Sequence, residues 1–217
     1  VHPVVGVLSG GTLVRVRGSG FISTAQLFVR VGRGDVVLAT VLSTTMFEVI
    51  TPSQVLPGPL AVEVSLNAVD FTGDEVLFEY QAALRLDEVA PSRGPSSGGT
   101  AAAIIGAGFS QRSAALGYTQ VRFNMTRVPA VWDSSSELRC VVPEHGAGLV
   151  SVEVTQNDQQ YAGTLGFEYE DIAPHGIAPR SGPVRGGTVV VMRGGSVHGA
   201  HGAGAHGAFC KFAGLGV

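Results

Sequence analysis

Three imidazoles, His198, His201 and His206, fall within nine residues near the C-terminal end of the chain. Neutral imidazole is a good ligand for zinc or copper, so this is the first metal-binding candidate. The residues between them are Gly and Ala, which supply no hydrogen-bonding shell to orient the rings. The stretch therefore reads as a flexible loop or partner contact, and the three histidines as weak candidate ligands. A second candidate is AAAIIGAGFS, Ala101 to Ser110, where an apolar run enters Gly106-Ala107-Gly108 like a strand entering a dinucleotide-binding turn. That chemistry needs a third glycine where Gln111 stands, a helix beyond it, and an acidic residue roughly 20 positions on. The residues after Ser110 are a short polar segment yielding to the strand-like TQVRF, so no helix is expected. Gly106 and Gly108 are read as a structural turn that needs positive φ or close backbone approach.

Other reactive groups are sparse. Asp70, Asp74 and Glu75 lie near one hairpin but lack the alternating spacing of a calcium loop. Asp87 and Glu88 fall in a connector, and no Gly-x-Ser-x-Gly elbow occurs. Catalytic residues, cofactor-binding residues and cofactors are accordingly expected to be none. Trp132 is the sole tryptophan and is read as core or edge packing, with an exposed partner or sugar platform as the alternative. Asn124-Met125-Thr126 is a glycosylation sequon, and Asn124 is expected at a strand end or turn.

The elements that position these residues come from a repeat. Ser9-Gly10-Gly11-Thr12 recurs as Ser97-Gly98-Gly99-Thr100 and as Arg185-Gly186-Gly187-Thr188, at a spacing of 88 residues. Each is followed by an apolar strand and a glycine-rich turn: TLVRVRGSGF, TAAAIIGAGF and TVVVMRGGSV. Val29-Arg30-Val31 matches Val121-Arg122-Phe123, Val62-Glu63-Val64 matches Val152-Glu153-Val154, and Phe78-Glu79-Tyr80 matches Phe167-Glu168-Tyr169. The Gly pairs are read as structural turns. Alternation such as Leu13, Arg15 and Arg17 against Val14 and Val16 is that of half-buried strands. Turn residues punctuate these strands, and no segment has a sustained helical period. The fold class is all-β: tandem immunoglobulin-like β-sandwiches, two complete and one partial. Domains are expected at 1–82, 86–170 and 173–217, joined by short connectors at 82–88 and 171–177 that favour a stiff string.

The net charge is −3, from 14 basic and 17 acidic residues, with no basic cluster. Nucleic acid is therefore not an expected partner. No apolar run reaches the roughly 20 residues of a membrane-spanning helix, so no direct membrane insertion of this segment is expected. The chain ends at Gly214-Leu215-Gly216-Val217 in what reads as mid-strand, and a longer protein is expected.

Ala90-Pro91-Ser92-Arg93-Gly94-Pro95 running into Ser97-Gly98-Gly99-Thr100, then Ile104-Ile105-Gly106-Ala107-Gly108-Phe109, resembles the opening of IPT/TIG domains. Ala178 to Thr188 repeats it closely, and Val4 to Gly20 is a looser version. The resemblance covers nearly the whole chain. It implies an immunoglobulin-like sandwich, found in plexin and growth-factor receptor stalks, fibrocystin-like surface proteins, Rel-type transcription factors and accessory domains of starch-acting enzymes. Many extracellular members carry a disulfide between the VRF strand and the strand of Cys140. Here Val121 takes one of those positions, and Val29 and Val49 take both in the first copy. The resemblance thus implies no disulfide within the chain: Cys140 is free, and the partner of Cys210 lies beyond Val217. Cys140 is read as a small buried apolar group.

Tandem copies without site chemistry imply a non-enzymatic structural segment of a long extracellular or cell-surface protein. Its partners would be other protein chains or neighbouring domains. The Gly-, Ala-, Val- and Arg-rich composition resembles giant TIG-repeat proteins of ciliated or flagellated unicellular eukaryotes, implying a ciliary or cell-surface filament. The alternatives are a ligand-recognition or adhesion ectodomain, for which Ala101 to Ile105 is a candidate packing strand, and an accessory domain of a polysaccharide-acting enzyme.

Overall fold

The computed structural model describes residues 1–22, 26–171 and 174–194. The three histidines and Cys210 lie outside the described residues.

Seven strands build the first sandwich: β1 (Val5–Val7), β2 (Leu13–Arg17), β3 (Leu27–Val31), β4 (Val36–Ser43), β5 (Met46–Ile50), β6 (Gly58–Ser65) and β7 (Leu77–Gln81). They hydrogen-bond in the order β1-β7-β6-β3-β4-β5-β2. β4 joins the two layers, pairing with β3 through residues 36–39 and with β5 through 40–43. The alternation of β2 is realised: Val14 and Val16 are buried while Leu13, Arg15 and Arg17 are exposed.

The second sandwich comprises β8 (Arg85–Ala90), β9 (Arg93–Pro95), β10 (Ala101–Ala107), α1 (Gln111–Ala115), β11 (Gln120–Phe123), β12 (Thr126–Pro129), β13 (Val131–Ser134), β14 (Glu137–Val141), β15 (Gly148–Thr155) and β16 (Tyr161–Glu170). Its sheets are β13-β14-β10-β8 and β12-β11-β15-β16-β9. Here the strand joining the layers is broken into β12 and β13 at Ala130, directly after Pro129 closes β12. Proline has no N–H to give a ladder. The VVLATVLS of β4 contains no proline and runs through unbroken. A third copy begins with β17 (Pro174–Ala178) paired to β18 (Val191–Gly194).

Both cores are built alike. Phe78 and Tyr80 pack edge to face at 5.1 Å, as Phe167 and Tyr169 do at 5.0 Å. Such pairs add about 0.5–1.5 kcal/mol to the burial itself. The Tyr80 hydroxyl donates to the Pro52 carbonyl at 2.8 Å, and that of Tyr169 to Pro143 at 2.9 Å. Each tyrosine thereby ties the last strand of its sandwich to the turn after the Val-Ile-Thr-Pro or Cys-Val-Val-Pro block. Glu63 and Glu153 lie on outer faces, half-buried and paired across the ladder with Arg30 and Arg122. Those guanidinium groups also lie over Phe71 and Tyr161, at 4.2 and 3.9 Å from the ring centres. The peptide bonds His2-Pro3, Ala90-Pro91 and Ala178-Pro179, one per copy, are all cis.

Two expectations are corrected. Residues 111–115 form a helix where none was expected. Ser110 caps it, its hydroxyl accepting the Ser113 N–H at 3.3 Å. One turn is too short to leave a periodic signature. Asp87 and Glu88 are not in a connector: they belong to β8, which pairs with β10, so only Ala82, Ala83 and Leu84 separate the last strand of one sandwich from the first of the next. Ala101 to Ile105 lies within β10, flanked by β14 and β8, with Ala102 and Ile104 buried and Ala101 and Ile105 exposed on the other face.

Candidate interdomain interface

The turns of the repeat set the edges at which the sandwiches meet. At Gly98, with φ +70°, an added Cβ would stand 2.6 Å from the Pro143 carbonyl carbon; at Gly10, with φ +74°, it would stand 2.7 Å from that of Pro52. The first glycine of each pair is therefore fixed by backbone contact as well as by φ. The second, Gly11 or Gly99, has φ of +78° or +82° and opens outward. Gly186 and Gly187 also have positive φ, at +77° and +84°. In AAAIIGAGFS the two glycines have different causes. Gly108 has φ +87°, whereas a Cβ on Gly106 would strike the carbonyl oxygen of Arg85 in β8. The space before the helix is thus filled by the neighbouring strand and by Phe109, which is buried.

Turning the chain at Ser110 and Ser113 places α1 against the end of the first sandwich. Gln81 closes β7 and is buried at the junction. Its Nε2 donates to Ser110 Oγ at 3.0 Å and Ser113 Oγ at 2.8 Å, and its Oε1 accepts from Ser113 Oγ at 3.0 Å. The amide is hydrogen-bonded at both ends. Arg112 pairs with Glu79 at 2.9 Å beside it, and the Tyr118 hydroxyl meets His2 Nδ1 at 3.1 Å.

A hairpin between β15 and β16 makes the second half of the junction. Asn157 shapes it: Oδ1 accepts the N–H groups of Gln159 and Gln160 at 3.1 and 3.0 Å, a side chain mimicking a backbone turn. Gln159 then reaches Leu13 at the start of β2, its Oε1 accepting the Leu13 N–H and its Nε2 donating to the Leu13 carbonyl, both at 2.8 Å. Gln160 Nε2 donates to the Gly11 carbonyl at 2.8 Å, and the Thr12 hydroxyl donates to Gln160 Oε1 at 3.2 Å. Asn157 Nδ2 completes the cluster on Thr12 Oγ1 at 3.3 Å. Side-chain amides thus satisfy the backbone of the Gly-Gly-Thr edge as an added strand would. A cavity of about 340 Å³ lies alongside, walled by Val7, Leu8, Ala83, Leu84 and Tyr161.

The other candidate residues lie apart from this junction. Asn124 is exposed at the tip of the β11–β12 turn with φ +53°, its N–H bonded to the Ser151 carbonyl. Trp132 is half-buried against the core and donates its indole N–H to the Phe109 carbonyl at 3.1 Å. Cys140 is a free thiol, buried in the same core as Val121, and burial pushes its pKa up to about 11. Asp70 accepts from the Asn67 amide at 2.9 Å. Among the described residues no group of three or more His, Cys, Asp or Glu side chains is placed to hold a metal.

The residues of the junction were not foreseen. Gln81, Thr12, Asn157, Gln159 and Gln160 are uncharged and common in type. A signal did exist in the repeat, where Ser65-Leu66-Asn67 aligns with Thr155-Gln156-Asn157, each just after the Val-Glu-Val block.

Two sandwiches whose last strand pairs in parallel with a short early strand (β7 with β1, β16 with β9), each with a Gly-Gly turn, define an immunoglobulin-like class. The IPT/TIG domain model matches residues 1–80 and 84–169, and the chain belongs to that family. It is 26% identical over 172 residues to Fibrocystin-L of Homo sapiens, across 78% of this chain and 4% of that protein. It is 32% identical over 115 residues to Plexin-A3 of Homo sapiens, across 49% of this chain and 6% of that one. The chain therefore spans a small fraction of the length of these relatives. Among solved structures it is similar to the Plexin A4 full extracellular region, with a TM-score of 0.49 and 22% identity over 82% of this chain and 16% of the other. Among the described residues no helix is long and apolar enough to cross a membrane.

Proposed function

We propose that this chain is a non-enzymatic structural and interaction segment of a longer extracellular or cell-surface protein, whose sandwiches act as stiff spacers. The observation that carries the reading is the junction. Three connector residues, a buried glutamine hydrogen-bonded at both ends and an amide-clasped backbone edge support a single relative orientation of domains 1 and 2. A loose tether would need none of these contacts. The described reactive groups support a structural role: the Cys140 thiol is buried with a raised pKa, and the β-face carboxylates of Glu48, Glu63 and Glu153 sit in ion pairs with arginines across the ladder.

Relatedness to Fibrocystin-L and Plexin-A3 supports the surface location, and a ciliary or cell-surface filament is the particular setting proposed. Protein partners and neighbouring domains would meet the sheet edges and end loops. The exposed sequon at Asn124 gives the compartment test. Secreted from a eukaryotic host, the chain should carry an N-glycan at Asn124, removable by a peptide N-glycosidase and abolished by Asn124→Gln. A secreted chain with unmodified Asn124 would count against the glycoprotein reading. Small-angle scattering on the same material tests the spacer, which predicts a profile fitted by one fixed domain arrangement rather than by a spread of them.

A further inference from the structure

The hairpin that clasps domain 1 has a twin at the far end of domain 1. In domain 2, Thr155, Asn157, Asp158, Gln159 and Gln160 form it; in domain 1, Ser65, Asn67, Ala68, Val69 and Asp70 stand in the same places. Their hydrogen bonds correspond one by one. Asn67 Oδ1 accepts the N–H groups of Val69 and Asp70 at 3.0 and 2.9 Å, and Ser65 Oγ donates to it at 2.9 Å, as Thr155 Oγ1 does to Asn157 at 3.3 Å. Ala68 and Asp158 both take the left-handed conformation, at φ 60° and 61°. The first hairpin grips a Gly-Gly-Thr edge. Among the described residues its twin has no such edge beside it, and Leu66 is 52% and Val69 76% exposed.

We propose that this end of domain 1 is a docking surface for the Gly-Gly-Thr edge of another IPT/TIG sandwich, joined ahead of domain 1 in the longer protein. The proposal rests on the spacer reading and extends the established junction by one step. The chemistry differs at the two gripping positions. Asp70 replaces Gln160, keeping an acceptor for the threonine hydroxyl but losing the donor to the second glycine carbonyl. Val69 replaces Gln159, so the residue after the threonine is met by apolar contact instead of paired amide bonds. That residue is apolar in all three of this chain's own edges: Leu13, Ala101 and Val189. Behind the hairpin lies a groove of about 390 Å³ lined by Phe21, Leu27, Leu66 and Thr72, with Ile22 exposed at 49% nearby. The partner therefore has a Gly-Gly-Thr-apolar edge. The seat that matches it on domain 2 is Gly98 to Ala101, whose second glycine is exposed with open space where a Cβ would stand.

The test uses this chain's own parts. Residues 84–178 are placed directly ahead of Pro3, so that Ala178-Pro3 replaces the native Ala178-Pro179 bond and the native connector leads into domain 1. Residues 62–78 occur once in that protein, so hydrogen exchange of the hairpin is read without ambiguity. The expected result is exchange at Leu66 to Asp70 slowed about tenfold or more relative to the 217-residue chain. The double variant Leu66→Asp, Val69→Asp should abolish the slowing while Phe78 and Tyr80 stay protected, showing that domain 1 remains folded. Unchanged hairpin exchange in the extended protein would overturn the proposal. So would slowing that appears in the 217-residue chain as its concentration rises, which would assign the surface to a second copy. If domains 1 and 2 tumble independently in the 217-residue chain, the spacer reading itself has failed; if they tumble together and the hairpin is unaffected, only the docking surface has.

Discussion

The side-chain amide of Gln159 pairs with both backbone groups of Leu13, each bond 2.8 Å long, across 146 residues of chain. It completes the first rung of β2 from a neighbouring sandwich. On the proposed spacer reading, interdomain orientation is written into a sheet edge, and the edge belongs to the repeated Gly-Gly-Thr turn.

Removing that rung should free the domains without unfolding them. The double variant Gln159→Ala, Gln160→Ala deletes four bonds to domain 1, each worth about 0.5–1.5 kcal/mol at most and less where exposed. Nitrogen-15 relaxation should report a shorter correlation time for each domain than in the parent, with both cores still protected. Unchanged tumbling would show that Gln81 and the connector suffice.

Gln81→Ala should act differently, because its partner is buried. Ser113 is fully buried and exchanges two hydrogen bonds with Gln81, so truncation leaves its hydroxyl stranded. The expected cost is about 1–3 kcal/mol, read in urea unfolding monitored by Trp132 fluorescence. Combining Gln81→Ala with Ser113→Ala should recover part of that loss, since it removes the stranded group.

The two glycines of the turn should separate on alanine substitution. Gly99→Ala meets open space and bears only the left-handed penalty, about 1 kcal/mol. Gly98→Ala carries that penalty and also drives a methyl group to 2.6 Å from the Pro143 carbonyl carbon. It should cost about 3 kcal/mol or more, in the range of strained backbone plus overpacking. Thermal melts of the two variants give the comparison directly.

Cys140 sets an alkaline limit. Its folded pKa is raised from 9.0 to about 11 by burial. Between those values the unfolded thiol loses its proton while the folded one keeps it, so the folded state binds more protons and stability falls as pH rises. The loss reaches about 2–3 kcal/mol by pH 11. Cys140→Val should flatten that part of the stability profile. Below pH 9 the native thiol should also resist alkylating reagents that label the unfolded chain at once.

The fold was legible because its signal is repeated. Val14 and Val16, Phe78 and Tyr80, and the Gly-Gly pairs each recur in register, and three weak patterns in phase outweigh any one alone. The short helix escaped because five residues carry no period, and its cause is a cap at Ser110 and a partner at Gln81 in the preceding domain. Asp87 and Glu88 are not legible as strand residues because they read as solvated charge in a connector. Their strand is fixed instead by the β10 ladder, whose partner choice is a tertiary fact. The junction was illegible for a related reason. Glutamine and asparagine side chains acquire meaning only against the backbone edge they complete, and that edge lies in another domain.

The most direct test of a fixed junction is a distance measurement between spin labels at Thr40 in domain 1 and Glu144 in domain 2, both solvent-accessible sites away from the interface. In the 217-residue chain, pulsed electron–electron resonance should give one narrow distribution that persists at high salt, because salt screens only the Arg112–Glu79 pair while the clasp itself is made of neutral amides. A broad or multi-peaked distribution would contradict the account, showing two sandwiches on a loose tether.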